Sequence, residues 1–236
     1  MAGAPHRQLA IRLRGSLARM EGVVRAVVAA GHPTVRGVID AACREAGISV
    51  IVTTASAAAA IEACRSNAPE LLILDLDLPD VDGFHVLSEL DADRPDAVLV
   101  LSDRADGDLV LRALRLGARG FVTKAEGLRG LSGTIGQVLA GERVIAPALE
   151  QDAVLALGRF AKRAREGSEV AAELTPRELQ VLELLSEGLT MRQIATRLSI
   201  SPRTVETHVG KLYRKLGVRT RVQAVSRAAT LGLVEL

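Results

Sequence analysis

The sequence predicts two domains of different class, an α/β domain on a five-stranded parallel sheet and then a small all-α domain with a helix-turn-helix. Three observations carry this. Between residues 23 and 146, short aliphatic runs alternate strictly with amphipathic stretches of helical period, five of each. Continuous apolar strands joined by helices imply a parallel sheet covered on both faces, and roughly 120 residues of that pattern suit one flavodoxin-like unit. The sheet pattern stops after Gly141, and from residue 174 helix-start signals recur at Thr175, Ser201 and Thr220. The charge divides the same way: residues 31–146 hold 11 basic and 17 acidic residues, and residues 171–236 hold 10 and 6. An acidic module joined to a basic one assigns any nucleic-acid contact to the second.

Residues 1–22, with His6, Arg7, Arg12, Arg14 and Arg19, read as a basic N-terminal extension, either a loose leader or an amphipathic helix. The strands that follow are VVRAVVA, ISVIVTT, LLILDLDLP, AVLVLS and GFVTK. The helices are PTVRGVIDAACREAG, SAAAAIEACRSN, GFHVLSELDA, DLVLRALRLGA and LRGLSGTIGQVLAGE. Residues 23–146 thus form the first domain, and no strand is predicted beyond Gly141. Residues 147–172 form a linker helix. Leu149, Val154, Leu155, Leu157 and Phe160 make its apolar stripe, Lys162, Arg163 and Arg165 a basic tail, and 167–172 a flexible end. The stripe suits either domain, or a copy of itself in a dimer.

The second domain occupies 173–236. Thr175 precedes a proline suited to the first helical position, and Glu178 three places on completes a capping box. A second helix opens just after Leu189, contains Gln193, Ile194 and Ala195, and ends near Ser199. The third runs from Ser201-Pro202 to about Leu216, where Gly217 stops it. Val205, Val209, Leu212 and Leu216 fall on one stripe facing the other two helices. The opposite face carries Arg203, Glu206, Thr207, Gly210 and Arg214, flanked by Thr204, His208 and Lys211. From Arg197 to Arg227 there are eight basic residues against the single acid Glu206, a net +7. A cationic helix with small and polar outward residues, after a short helix and tight turn, is what insertion into a DNA major groove requires. Thr220 opens a last helix with Val222, Val225 and Ala229 along it.

In doubly wound sheets the crevice lies at the carboxyl ends of the strands. The first strand ends at Ala30-Gly31, the third at Asp75, the fourth at Ser102 and the fifth at Lys124. A carboxylate, a hydroxyl and an ammonium at one rim are the parts for accepting a phosphoryl group: Asp75 as nucleophile, Ser102 bonding an oxygen, Lys124 pairing the charge. Any one alone would be a solvated loop residue; three at successive strand ends point to a site.

Other classes are excluded. Cys43 and Cys64 form no CxxC and the chain has four His, so a disulfide framework or metal cluster is not expected, and buried reduced thiols are. One Tyr, three Phe and no Trp argue against stacking on single-stranded nucleic acid. No apolar run reaches the ~20 residues that cross a bilayer, and no signal-peptide core is present, which predicts a cytoplasmic protein without membrane contact. No catalytic triad or Gly-rich phosphate loop points to an enzyme, and no cofactor is expected.

SPRTVETHVGKLYRKLGVRTRVQA, with LTPRELQVLELLSEGLT before it, resembles the DNA-binding domain of LuxR-type regulators. LLILDLDLPDVDG, VLVLS, GFVTK and GHPTVRG resemble the receiver domain of NarL/FixJ response regulators over roughly 24–146. The resemblance implies that Asp75 is the phospho-acceptor position, Ser102 the switch hydroxyl, Lys124 the pocket lysine and Phe121 the switch aromatic. It puts Glu206, Thr207 and Gly210 at base-facing positions, leaves Arg203, Thr204, His208, Lys211 and Arg214 for phosphates, and makes the last helix a dimer contact. One segment departs from the family: Ala30 and Gly31 stand where it has two metal-binding carboxylates. Magnesium needs carboxylate ligands and carries much of the transition-state stabilisation in phosphoryl transfer. Weak or absent magnesium binding is therefore expected, Asp77, Asp80 and Asp82 not substituting, with Asp75 paired directly to Lys124.

The reading that follows is a dimeric, DNA-binding transcriptional regulator of the response-regulator type on an inverted-repeat duplex site, controlled independently of magnesium-dependent phosphorylation. A small ligand, a partner protein or abundance would then supply control. Two alternatives stand beside it: a conventional two-component regulator phosphorylated at Asp75 by a sensor kinase, and a protein that titrates a related regulator by forming a heterodimer.

Overall fold

The computed structural model describes residues 23–104 and 106–234, so the basic N-terminal extension lies outside the described residues. The chain divides into two compact units, with the boundary between Ala156 and Leu157.

In the first unit, β1 (Arg25–Ala29), β2 (Ser49–Thr54), β3 (Leu71–Asp75), β4 (Ala97–Ser102), β5 (Gly120–Thr123) and β6 (Val144–Ile145) form one sheet in the order β2-β1-β3-β4-β5-β6. Every pairing is parallel. Between the strands run α1 (Pro33–Glu45), α2 (Ala57–Asn67), α3 (Gly83–Leu90), α4 (Gly107–Arg115), the single turn α5 (Lys124–Gly127) and α6 (Leu131–Leu139). β3 is buried along its whole length, which is why its sequence is a continuous apolar run ending in one carboxylate. Small residues on α2, Ala57, Ala60 and Ala63, are buried and let that helix lie close on the sheet. Cys43 and Cys64 are free and buried, and burial pushes their thiols up to about 11 and about 12, away from reactivity.

The architecture matches the predicted flavodoxin-like class, with one strand more than the five predicted. Val144–Ile145 pairs with Gly120 and Phe121 as a parallel edge strand; two residues carry no readable period. The last predicted helix of this domain is also broken, because Gly130 adopts φ 72° and α6 opens only at Leu131.

Next comes α7 (Pro147–Glu173), 27 residues without interruption. Residues 167–172, predicted to be flexible, are helical. A side chain at Gly167 would collide with the Leu231 carbonyl, so the glycine serves close packing here rather than looseness. The predicted stripe on α7 splits: Leu149 joins Ala153 in the core of the first unit, whereas Val154, Leu155 and Leu157 are exposed. Gly107 opens α4 against the start of α7, where a Cβ would collide with the Asp152 carbonyl. Gly107→Ala is expected to lift this turn, speeding amide hydrogen exchange at residues 150–156 at least tenfold, an opening cost of about 1.4 kcal/mol; unchanged exchange would contradict it.

The second unit holds α8 (Pro176–Ser186), α9 (Met191–Leu198), α10 (Pro202–Leu216) and α11 (Arg221–Thr230). Thr175 and Glu178 form the predicted capping box, and Thr190 with Gln193 forms another that opens α9. Ser201 caps α10 by accepting from the Thr204 N–H, and Gly217 ends it at φ 67°. Val205, Val209, Leu212 and Leu216 are buried as predicted, against Val181, Leu182, Leu185 and Ile194. On α11, Ala224 and Ala228 point inward, and Val222, on the line for which the family resemblance implies a dimer contact, is 78% exposed. Alanines fit there because the helix packs close. Among the described residues, no helix is long and apolar enough to cross a membrane.

Candidate functional site

The carboxyl edge of the sheet brings Asp75, Ser102 and Lys124 together because β3, β4 and β5 are successive neighbours. Asp75 is 1% exposed. Its Oδ1 lies 2.9 Å from Lys124 Nζ and accepts from the Asp77 N–H at 3.0 Å, while its Oδ2 is buried without a hydrogen-bond partner among the described residues. The same ammonium stands 3.2 Å from Asp77 Oδ2 and 2.9 Å from Asp103 Oδ2. Three carboxylates from two loops and a strand end thus meet on one cation. Burial pushes the Asp75 carboxyl up, more than the Lys124 ammonium and the Asp77 N–H pull it down. Burial opposes the charge on Lys124, but the Asp103 and Asp75 carboxylates outweigh it and raise the ammonium's pKa.

Ser102 is fully buried and its hydroxyl accepts from the Arg104 N–H at 3.0 Å. Phe121 is also fully buried, opposite Val100 in the β4–β5 register. Asp80 and Asp82 turn to other work. Asp80 Oδ2 accepts from the Ser56 hydroxyl and the Ala57 N–H at the start of α2, and Asp82 caps α3 through the Phe84 N–H.

At the end of β1, Ala30 is fully buried and Gly31 closes tightly on the opposite loop: a Cβ there would lie 2.8 Å from the Asp77 carbonyl oxygen. Arg36 Nη1 donates to the carbonyls of Ala30 and Gly31 at 2.7 and 2.9 Å. With no side-chain oxygen at Ala30 or Gly31 and a guanidinium on their carbonyls, these residues do not fit a divalent cation. Among the described residues, no group of three or more His, Cys, Asp or Glu is placed to hold a metal ion. Sequence reasoning missed Arg36 and Asp103. Asp103 directly follows a strand-end residue already singled out, so the strand-end rule would have reached it; the partners of Arg36 are backbone carbonyls, which no side-chain pattern reveals.

In the second unit the outward face of α10 presents Arg203, Thr204, Glu206, Thr207, Gly210, Lys211 and Arg214 as exposed and His208 as half-buried. A Cβ at Gly210 would meet nothing within 4 Å, so the backbone is open to close approach there. The Thr207 hydroxyl donates to the Arg203 carbonyl at 3.0 Å, and the Thr204 hydroxyl shares a 2.8 Å hydrogen bond with Ser201. Two of the eight basic residues of this segment hold the fold instead. Lys215 Nζ lies 2.6 Å from Glu178 Oε2 and donates to the Glu173 carbonyl, and Arg221 donates to the carbonyls of Leu185 and Leu189. Arg177 likewise donates to the Leu198 carbonyl at the end of α9. Cations on helix C-terminal carbonyls satisfy orphan acceptors and oppose the helix dipole.

Residues 26–135 match the response regulator receiver domain, and residues 172–228 match the luxR family of bacterial regulatory proteins. The probable transcriptional regulatory protein NarL of Mycobacterium tuberculosis is 33% identical over 215 residues, spanning 90% of this chain and 96% of that protein. The nitrate/nitrite response regulator protein NarL of Escherichia coli K12 is 33% identical over 195 residues, spanning 82% and 89%. Among solved structures, the RcsB response regulator of Salmonella typhimurium aligns with a TM-score of 0.51 at 20% identity, over 88% of this chain and 98% of that one. A structure of two RcsB dimers bound to two parallel DNAs aligns with the same score at 22% identity, over the same shares of the two chains, and both speak for the fold alone. Two family matches set end to end over the two units, with a relative one-third identical along nearly its whole length, make this chain a member of the NarL/FixJ response regulators, a receiver domain followed by a LuxR-type helix-turn-helix.

Proposed function

We propose that this DNA-binding response regulator controls transcription from an inverted-repeat duplex site as a dimer, and that its control does not pass through magnesium-dependent phosphorylation of Asp75. The observation that carries the reading is the Lys124 ammonium, held by Asp75, Asp77 and Asp103 at 2.9–3.2 Å beside a β1 end that offers Ala30 and Gly31 in place of carboxylates. Input then arrives through a small ligand, a protein partner or the amount of protein. On DNA, Arg203, Thr204, His208, Lys211 and Arg214 take phosphates, and Glu206 and Thr207 face bases, Glu206 accepting from a cytosine amino group.

The DNA assignment is tested by salt titration. Lys211→Ala is expected to weaken binding to all duplexes alike and to lower the slope of log K against log salt by about 0.9. Thr207→Val and Glu206→Gln are expected to redistribute site preference by about 1–3 kcal/mol at single base pairs. An unchanged slope for Lys211→Ala would remove it from the phosphate contacts.

A second reading keeps conventional control by a sensor kinase. It is favoured by Asp75 Oδ2, a carboxylate oxygen that no group among the described residues has claimed. Incubation with a small phosphodonor and Mg²⁺, followed by intact mass, separates the two: a rapid stoichiometric gain of one phosphoryl group, lost in Asp75→Asn, would favour the kinase-controlled form. Heterodimerisation that titrates a related regulator is a third outcome, read as failure of the protein alone to shift duplexes that it shifts, or blocks, with a sister regulator present.

A further inference from the structure

We infer that this pocket is closed around cations of the chain itself, so that returning carboxylates to positions 30 and 31 does not return a divalent-cation site. The inference rests on the proposed metal-independent control but goes further, since that proposal concerns the natural chain and this one concerns what surrounds the two lost acids.

Two cationic side chains hold the ends of the strands around this pocket. Lys124 draws Asp75, Asp77 and Asp103 onto one nitrogen, tying the end of β3 to the loops after β3 and β4. Arg36 reaches back from α1 to the carbonyls of Ala30 and Gly31, fixing the turn where the acids would sit. With the Ala30 and Gly31 carbonyls already taken by Arg36, and Asp77 Oδ2 and one oxygen of Asp75 taken by Lys124, few oxygens are left turned inward and unclaimed, as a metal site needs them.

The loop after β3 also fills the space beside Gly31. A Cβ on Gly31 would lie 2.8 Å from the Asp77 carbonyl oxygen and 3.3 Å from Pro79 Cδ, so any side chain there requires the loop to withdraw. The loop is not free to do so. The Asp77 N–H is bound to Asp75, its carboxylate accepts from the Asp103 N–H and pairs with Lys124, and Asp80 is held by Ser56 and the Ala57 N–H. Gly83 donates back to the Leu76 carbonyl at 2.9 Å, closing the far end. Ala30 is fully buried, so a carboxylate there would lose its hydration before gaining any ligand. An acid at 31 meets backbone and an acid at 30 meets core.

The test compares the full-length natural chain with Ala30→Asp/Gly31→Asp and with Gly31→Ala, by thermal unfolding with and without millimolar MgCl₂ and by the backbone amide shift of Asp77. The double-acid variant is expected to melt several degrees lower and to show no saturable magnesium-dependent rise or amide shift. Gly31→Ala, which adds only the methyl, is expected to melt about 2–4 °C lower. It decides the steric argument even if the double variant does not fold. A saturable magnesium-dependent rise in the double variant but not in the natural chain overturns this inference and leaves the proposed function standing. The same rise in the natural chain overturns both. Gly31→Ala as stable as the natural chain also overturns the closed-loop argument.

Discussion

Lys215→Met is expected to destabilise the DNA-binding unit by about 3 kcal/mol, because it strands a buried charge. Glu178 is 2% exposed, opens α8 as the acid of a capping box, and has Lys215 Nζ 2.6 Å from Oε2 at the far end of α10. Burial pushes its carboxyl up, but the Lys215 ammonium and the Thr175 N–H pull it down further, to about 2. The folded-state value is depressed, so this group's contribution is complete above its unfolded value near 4.5 and is lost as pH falls toward 2. Denaturant unfolding is read conveniently at Tyr213, the lone tyrosine in a chain without tryptophan, which lies on α10. The Glu178→Gln/Lys215→Met pair is expected to recover much of the loss by removing both charges, and Glu178→Gln to flatten stability between pH 4.5 and 2. A Lys215→Met protein as stable as the natural one would show that water reaches Glu178.

The receiver pocket should behave asymmetrically. Lys124→Met takes the counter-charge from Asp75, 1% exposed and facing two further carboxylates, which must then either stay charged without a partner or take up a proton, and is expected to cost about 3–5 kcal/mol in the first unit. Asp75→Asn removes the carboxylate whose Oδ2 already lacks a partner, and leaves Lys124 paired to Asp77 and Asp103. It is expected to cost less than about 1 kcal/mol. Calorimetry or hydrogen exchange of the β3 and β4 amides checks both. Equal losses would mean that Lys124 is exchanging among its partners rather than neutralising the buried one.

Much of the fold was legible because its signals are local. The period of the apolar residues separates strands from helices within a few turns of chain, which is why the alternation over 23–146 and the stripe Val205, Val209, Leu212 and Leu216 read correctly. Helix ends were legible where a side chain caps its own backbone three residues away, as at Thr175, Ser201 and Thr220. Asp75 and Ser102 were found by a topological rule, since the crevice of a parallel sheet lies at strand carboxyl ends. The errors have the same root. Val144–Ile145 is too short to show a period, and Gly167 looks like a break until the Leu231 carbonyl is seen against it.

The sequence by itself determined the two architectures, their order and the cationic outward face of α10, because each is a matter of residue type at short spacing. Tertiary structure alone decided where the charges went. Lys124 is shared among residues 21 to 49 positions away, Lys215 is spent on Glu178 37 positions away, and Arg36 is turned onto carbonyls that bear no mark in the sequence. A charged side chain takes whichever partner the folded chain brings within about 3 Å, and burial then decides what that partnership is worth.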